Sequence, residues 1–118
     1  MRRILLQKDE DEILKLVQKV LEDNKAQDVT VIDLKGKTSI ANQMVVASGT
    51  SNRHVAAMAD KLLEALKKAG FKATAEGMEK ADWVLIDAFD VIVHIFRPEV
   101  RAFYNLEKMW QAVSDKRK

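Results

Sequence analysis

Only two histidines are present, and each stands beside residues that invite a chemical role. His54 closes the turn Ser48-Gly49-Thr50-Ser51-Asn52-Arg53-His54, where Thr50 or Ser51 supplies a hydroxyl that an imidazole base would activate. The same turn leads from a strand into a helix N-terminus, whose backbone amides and dipole favour a phosphate. His94 shares its surroundings with Asp87 and Asp90, carboxylates of the kind that hold magnesium for phosphoryl transfer. None of these readings closes. One glycine makes neither a P-loop nor a G-x-G-x-x-G cradle, and no H-x-x-x-H or H-E-x-x-H spacing joins the two histidines. Asp87 and Asp90 stand across a turn and need not converge, and the candidate triad at His54 lacks any signature of an oxyanion hole. Without cysteine there is no thiolate nucleophile and no cysteine zinc site. The residues predict no catalytic site, no metal and no cofactor. Arg53 and His54 then read as surface positions in the first turn of a helix that Ser51 or Asn52 caps.

The stretch "ADWVLIDAFDVIVHIFRPEVR", residues 81 to 101, remains. It reads as two strands joined by a tight turn at Phe89-Asp90. A two-residue loop there sets Ala88 against Val91, Ile86 against Val93 and Val84 against Ile95, all on one face, which is core. The other face pairs Asp87 with Ile92, Leu85 with His94 and Trp83 with Phe96, and puts Asp87 diagonally beside His94. A covered face must find partners for a carboxylate and an imidazole, whereas an open one exposes an aromatic pair to water. Either irregular structure covers it, or it is a contact surface. An aromatic pair and a polar pair within one hairpin is the composition of an interface hot spot.

The elements that would position this hairpin follow from periodicity and punctuation. Asp9-Glu10-Asp11-Glu12 precedes Ile13, Leu14, Val17, Val20 and Leu21 at helical spacing, with acidic groups where a helix N-terminus favours them. "DVTVIDL" and "NQMVVASG" are rich in β-branched residues and end near Gly36 and Gly49, so both are strands. "TSNRHVAAMADKLLEALKKAG" carries Val55, Ala59, Leu62, Leu63 and Leu66 along one helical face and stops at Gly70. "FKATAEG" is a weaker strand suited to an edge. Pro98, followed by Glu99, opens a third helix running through Trp110. The order α-β-β-α-β-β-β-α predicts an α/β (α+β) fold, a mixed five-stranded sheet with packed helices, formed by residues 1–118 as a single domain.

Composition bounds the function further. A chain of 118 residues with 47% hydrophobic and 32% charged residues is sized for one soluble core. It contains no run long enough for a membrane span. The apolar stretch after Arg2-Arg3 ends too soon for a signal peptide, so a cytoplasmic protein is expected. A net charge of +2 is far from the clustered positive field of a protein that neutralises many phosphates. Nucleic-acid contact is expected to be peripheral at most, and Lys116-Arg117-Lys118 reads as a solvated tail.

Several motifs together resemble one family. G-T-S-x-R-H at Gly49 to His54, D-W at Asp82-Trp83, D-V-I-V-H at Asp90 to His94 and Y-x-L-E-K-x-W at Tyr104 to Trp110 occur in this order. With "DLKGKTSIANQMVVASG" before them, they resemble the ribosomal silencing factor family, RsfS, also called Iojap or YbeB, over residues 10 to about 111. The resemblance implies a non-enzymatic translation factor with a nucleotidyltransferase-like fold. Such a factor binds ribosomal protein L-fourteen on the large subunit, blocks joining of the small subunit, lowers translation when nutrients are scarce and forms a homodimer when free. It points to a partner surface around Trp83, for which Leu85, Asp87, His94, Phe96 and Arg97 are the companions, with Arg53, His54 and Tyr104 as secondary contacts. The competing reading is a nucleotidyltransferase-like enzyme using the Gly49 to His54 turn for phosphate. Phe89 departs from the family pattern, which usually has glycine there. Its side chain disfavours positive φ, so a longer or differently shaped turn is expected, at the expense of the Trp83 to Phe96 pairing.

Overall fold

The computed structural model describes residues 7–36 and 41–100. Helix α1 (Gln7–Asp23) leads into strands β1 (Gln27–Asp33) and β2 (Gln43–Ser48), then helix α2 (Asn52–Lys68) and strands β3 (Thr74–Glu76), β4 (Trp83–Ala88) and β5 (Val91–Phe96). The sheet is five-stranded in the order β1-β2-β5-β4-β3. β2 and β5 run parallel at its centre, and all other neighbours are antiparallel. This is the expected α/β class with a mixed sheet. A helical turn begins at Pro98, where proline gives up no needed hydrogen bond; the remainder of the stretch expected to form a third helix, with Tyr104 and Trp110, lies outside the described residues.

The sheet buries its two faces differently. On one face Val45, Ala47, Val84, Ile86, Ala88, Val91, Val93 and Ile95 pack with Ile13, Val17 and Leu21 of α1 and Val55, Met58, Ala59, Leu62 and Leu66 of α2. These are the apolar positions of the helical periodicities, and this is the larger core. Ser51 caps α2 by accepting the His54 N–H at 3.1 Å. On the other face Ile32, Met44, Val46 and Phe96 form a second cluster with Leu34 and Ala41, against which Trp83, Ile92 and Val100 are only partly buried. β3 is a short edge strand, as its weak pattern suggests.

The acidic start of α1 serves tertiary structure as well as the helix dipole. Glu10 is buried, accepts from Asn42 Nδ2 at 2.7 Å and lies 3.3 Å from Lys35 Nζ. The carboxylate thus ties the helix N-terminus to both ends of the β1–β2 connection. Asn42 and Gln43 donate their own backbone N–H groups to the Asp90 carbonyl, at 2.8 and 2.9 Å. That clamp holds the β4–β5 turn against the start of β2. Asp90 therefore contributes its backbone to the fold, a role that a search for paired carboxylates does not reveal.

Candidate functional site

The hairpin has the register that its alternation predicts: Trp83 pairs with Phe96, Leu85 with His94 and Asp87 with Ile92. The turn corrects the expectation raised by Phe89. It remains a two-residue turn, with Phe89 itself at φ 62°, the positive φ that a II′ hairpin turn needs at its first central position. A bulky residue there costs of order 1–2 kcal/mol. Six consecutive paired positions and the Asp90 clamp hold it in place.

Three rings build the site. The Trp83 indole stacks on Phe96 with centroids 5.5 Å apart and planes 23° from parallel. It also leans on His94, with centroids 5.7 Å apart, and donates from Nε1 to His94 Nδ1 at 2.9 Å. His94 therefore takes the indole as its partner, whereas the alternation placed Asp87 diagonally beside it. Asp87 is exposed on β4. Phe96 is fully buried and His94 is 8% exposed, so both lie beneath Trp83 as a platform, while Trp83, Leu85 and Ile92 remain partly open.

Burial lowers the His94 pKa from 6.5 to about 4, because the charged imidazolium loses its hydration there. A neutral ring is what the indole bond requires, since Nδ1 must be free to accept. The folded protein resists protonation that the unfolded chain takes up near pH 6.5, so the unfolded state binds more protons between these values. Stability from this group is complete above about pH 6.5 and falls as the pH is lowered through about 4. Melts of the protein and of His94→Leu across this window are expected to diverge, with the wild type losing stability more steeply towards acid. Parallel curves would contradict the assignment.

The signature turn before α2 turns out to be a junction. His54 Nδ1 accepts the Thr50 N–H at 2.9 Å and lies 3.2 Å from Thr50 Oγ1, while Nε2 donates to the Asn24 carbonyl at 2.7 Å. Both ring nitrogens are engaged: Nδ1 braces the turn before α2, and Nε2 joins α2 to the end of α1. The ring is thus occupied by structure, with no nitrogen free to act as a base. Replacing His54 by leucine is expected to cost about 2 kcal/mol of folding stability, since a backbone donor and a backbone acceptor both lose their partner. A melt of that variant within a degree of wild type would refute the structural role. Arg53 is exposed on the same turn.

Next to it, Asn52 spends both amide hydrogens, on the Lys80 carbonyl at 2.7 Å and on Asp82 Oδ1 at 2.8 Å. Asp82 in turn receives Arg97 Nη2 at 3.3 Å, and Arg97 Nη1 meets Glu99 at 3.1 Å. The Arg97 N–H donates to the Asp82 carbonyl at 3.1 Å. The loop leading into Trp83 is thereby pinned to the start of α2 and the end of β5. Sequence reasoning passed over Asn52 and Asp82 as members of a network, although their places inside the G-T-S-x-R-H and D-W motifs were the available signal. Where this loop enters β4 lies an open groove of about 490 Å³, walled by Ala75, Gly77, Met78, Glu79, Lys80, Asp82 and Trp83.

Among the described residues no three of His, Asp, Glu or Cys come together as a metal site would need, and no helix is long and apolar enough to cross a membrane. What the geometry presents is a preformed aromatic patch with a groove at its side. Residues 7–118 match the model of the family described as "ribosomal silencing factor during starvation", RsfS. The chain is 54% identical over 103 residues to ribosomal silencing factor RsfS of Zymomonas mobilis, spanning 86% of this chain and 77% of that protein. It is 40% identical over 99 residues to RsfS of Haemophilus influenzae, spanning 83% of this chain and 97% of that one. A crystal structure of a Chromobacterium violaceum protein superposes with a TM-score of 0.83 at 43% identity, covering 86% of this chain and 85% of that one. Family motifs that hold the fold together at Asn52, His54 and Asp82, the paired hairpin they support and these matches lead to one conclusion: the chain belongs to the ribosomal silencing factor (RsfS) family.

Proposed function

We propose that the protein silences translation by binding the large ribosomal subunit through ribosomal protein L-fourteen and standing where the small subunit must dock. Nothing is chemically transformed in this reading. The observation that carries it is the hairpin's second face, where Trp83, Leu85 and Ile92 stay partly open above the buried Phe96 and His94. Partly exposed aromatic and aliphatic groups on a rigid base are the anatomy of an interface hot spot. Trp83 and Leu85 are the apolar anchors, Phe96 and His94 support them, and Asp87 and Arg97 stand at the edge of the patch, where charge guides orientation. The protein acts in the cytoplasm, pairs with a second copy when free, and touches ribosomal RNA at most peripherally, in keeping with its net charge of +2.

Sedimentation of the purified protein with separated subunits tests the reading: it is expected to travel with large subunits and to remain at the top of the gradient with small ones. Binding to both, or to neither, would refute it. Calorimetry with nucleotides and magnesium addresses the enzymatic alternative, for which measurable magnesium-dependent nucleotide affinity is the required result.

A further inference from the structure

We infer that His94 is a positioning residue: it sets the orientation of the Trp83 indole through the bond from Nε1 to Nδ1, and it acts on the partner only through that ring. This deepens the proposed function and rests on its reading of Trp83 as the anchor.

The argument starts from how an indole is fixed. Stacking on Phe96, 5.5 Å between centroids, restrains the plane but leaves the ring free to slide and turn within it. A directional bond restrains that freedom, and the indole N–H makes one to His94 at 2.9 Å. His94 is held in turn by cross-strand pairing with Leu85 and by parallel pairing with Val46 of β2. With 8% of its surface exposed, it offers a partner almost no area of its own. A neutral imidazole whose Nδ1 accepts must carry its proton on Nε2, so one tautomer is selected. Of the groups on the same face of its neighbours, Asp87 of β4 is the carboxylate, and it is exposed two pairs closer to the turn. Rigid presentation matters because ordering a side chain during association costs about 0.5–1.5 kcal/mol that a preorganised anchor does not spend.

Two substitutions of equal shape separate the bond from the packing. Asparagine places a carbonyl oxygen where Nδ1 stood, and leucine fills the same branched outline without an acceptor. His94→Leu is expected to weaken large-subunit binding about 10-fold, the upper end of the ordering cost that a fixed indole is spared, while His94→Asn, which keeps an acceptor, stays within about 3-fold of wild type. In the Trp83→Ala background His94→Leu should add nothing further, because the two residues act as one unit. The Trp83 indole N–H resonance should move in His94→Leu and be largely restored in His94→Asn.

Several results would overturn the inference. His94→Leu binding as tightly as wild type, while Trp83→Ala binds weakly, removes the positioning role and leaves the anchor in place. Additive losses in the double variant mean that His94 touches the partner directly. Unimpaired binding by Trp83→Ala removes the anchor reading, and the positioning role falls with it. The nitrogen shifts of the His94 ring in the wild-type protein need no variant: at neutral pH they should report a proton on Nε2, and a proton on Nδ1 contradicts the bond outright.

Discussion

Trp83→Ala is expected to weaken binding to the large subunit by about 2 kcal/mol or more, some 30-fold, as truncation of a central aromatic anchor does. The effect on folding should be smaller. The indole is only partly buried against the second cluster, whose fully enclosed aromatic member is Phe96. Removing a fully buried aromatic costs about 3–5 kcal/mol, and Trp83 should fall below that range because part of its surface already meets water. Its loss also frees His94 Nδ1, a cost that solvent entering the emptied position largely offsets. Thermal melts and large-subunit binding measured on the same preparation separate the two readings. A steep loss of melting temperature with unchanged affinity of the folded fraction would make Trp83 a core residue.

Gly77→Ala should have the largest effect on the fold. Gly77 sits at φ 86°, and a Cβ built there runs directly into the carbonyl oxygen of Trp83. Backbone cannot step aside as a flexible side chain does, so either the loop or the first residue of β4 must move. The loop is closed by the Ala81 N–H on the Gly77 carbonyl at 3.0 Å, and Ala81 is itself at φ 55°. An unfavourable φ together with a backbone collision is expected to cost about 3 kcal/mol or more. Gly70 provides the control. It has φ 87° with nothing within 4 Å of its added Cβ, so Gly70→Ala should cost only about 1 kcal/mol, the strain alone. Chemical denaturation of the two variants side by side measures the difference; equal losses would mean that the loop yields without resistance. Because the same carbonyl belongs to Trp83, Gly77→Ala should also weaken large-subunit binding beyond what its unfolded fraction explains.

The parts of this architecture that were legible in the sequence are those written in local pattern. Alternation along residues 83 to 96 fixed the register of β4 and β5, because a slip of one residue would have turned Val84, Ile86, Val93 and Ile95 away from the helices. Helical spacing from Val55 to Leu66 and the cap at Ser51 gave α2 for the same reason. The turn was misjudged in the opposite direction: propensity argues against positive φ at Phe89, but the ladder and the Asp90 clamp together outweigh a local cost of one or two kcal/mol.

What stayed hidden depends on residues far apart in the chain. Nothing local marks Glu10 as the acceptor for Asn42, or Asn52 as the link between Lys80 and Asp82, since these pairs meet only once the sheet and helices are assembled. His94 was recognised as unusual, but alternation offered Asp87 as its companion. The long indole, reaching from the Trp83 position diagonal to it, supplies a donor that a count of facing charges overlooks. His54 shows the converse. Beside a threonine and a serine it has the look of a base, and the fold uses one of its nitrogens to brace the turn at Thr50 and the other to join two helices.

The central claim is that the protein silences by occupying a surface of the large subunit, and subunit joining measures this most directly. Purified large and small subunits are mixed at a magnesium concentration that favours joining, with increasing amounts of the protein, and the yield of joined ribosomes is read by sedimentation. The account predicts that the yield falls in step with occupancy of large subunits, and that Trp83→Ala requires about 30-fold more protein for the same effect. Equal joining in the presence and absence of saturating protein would contradict it.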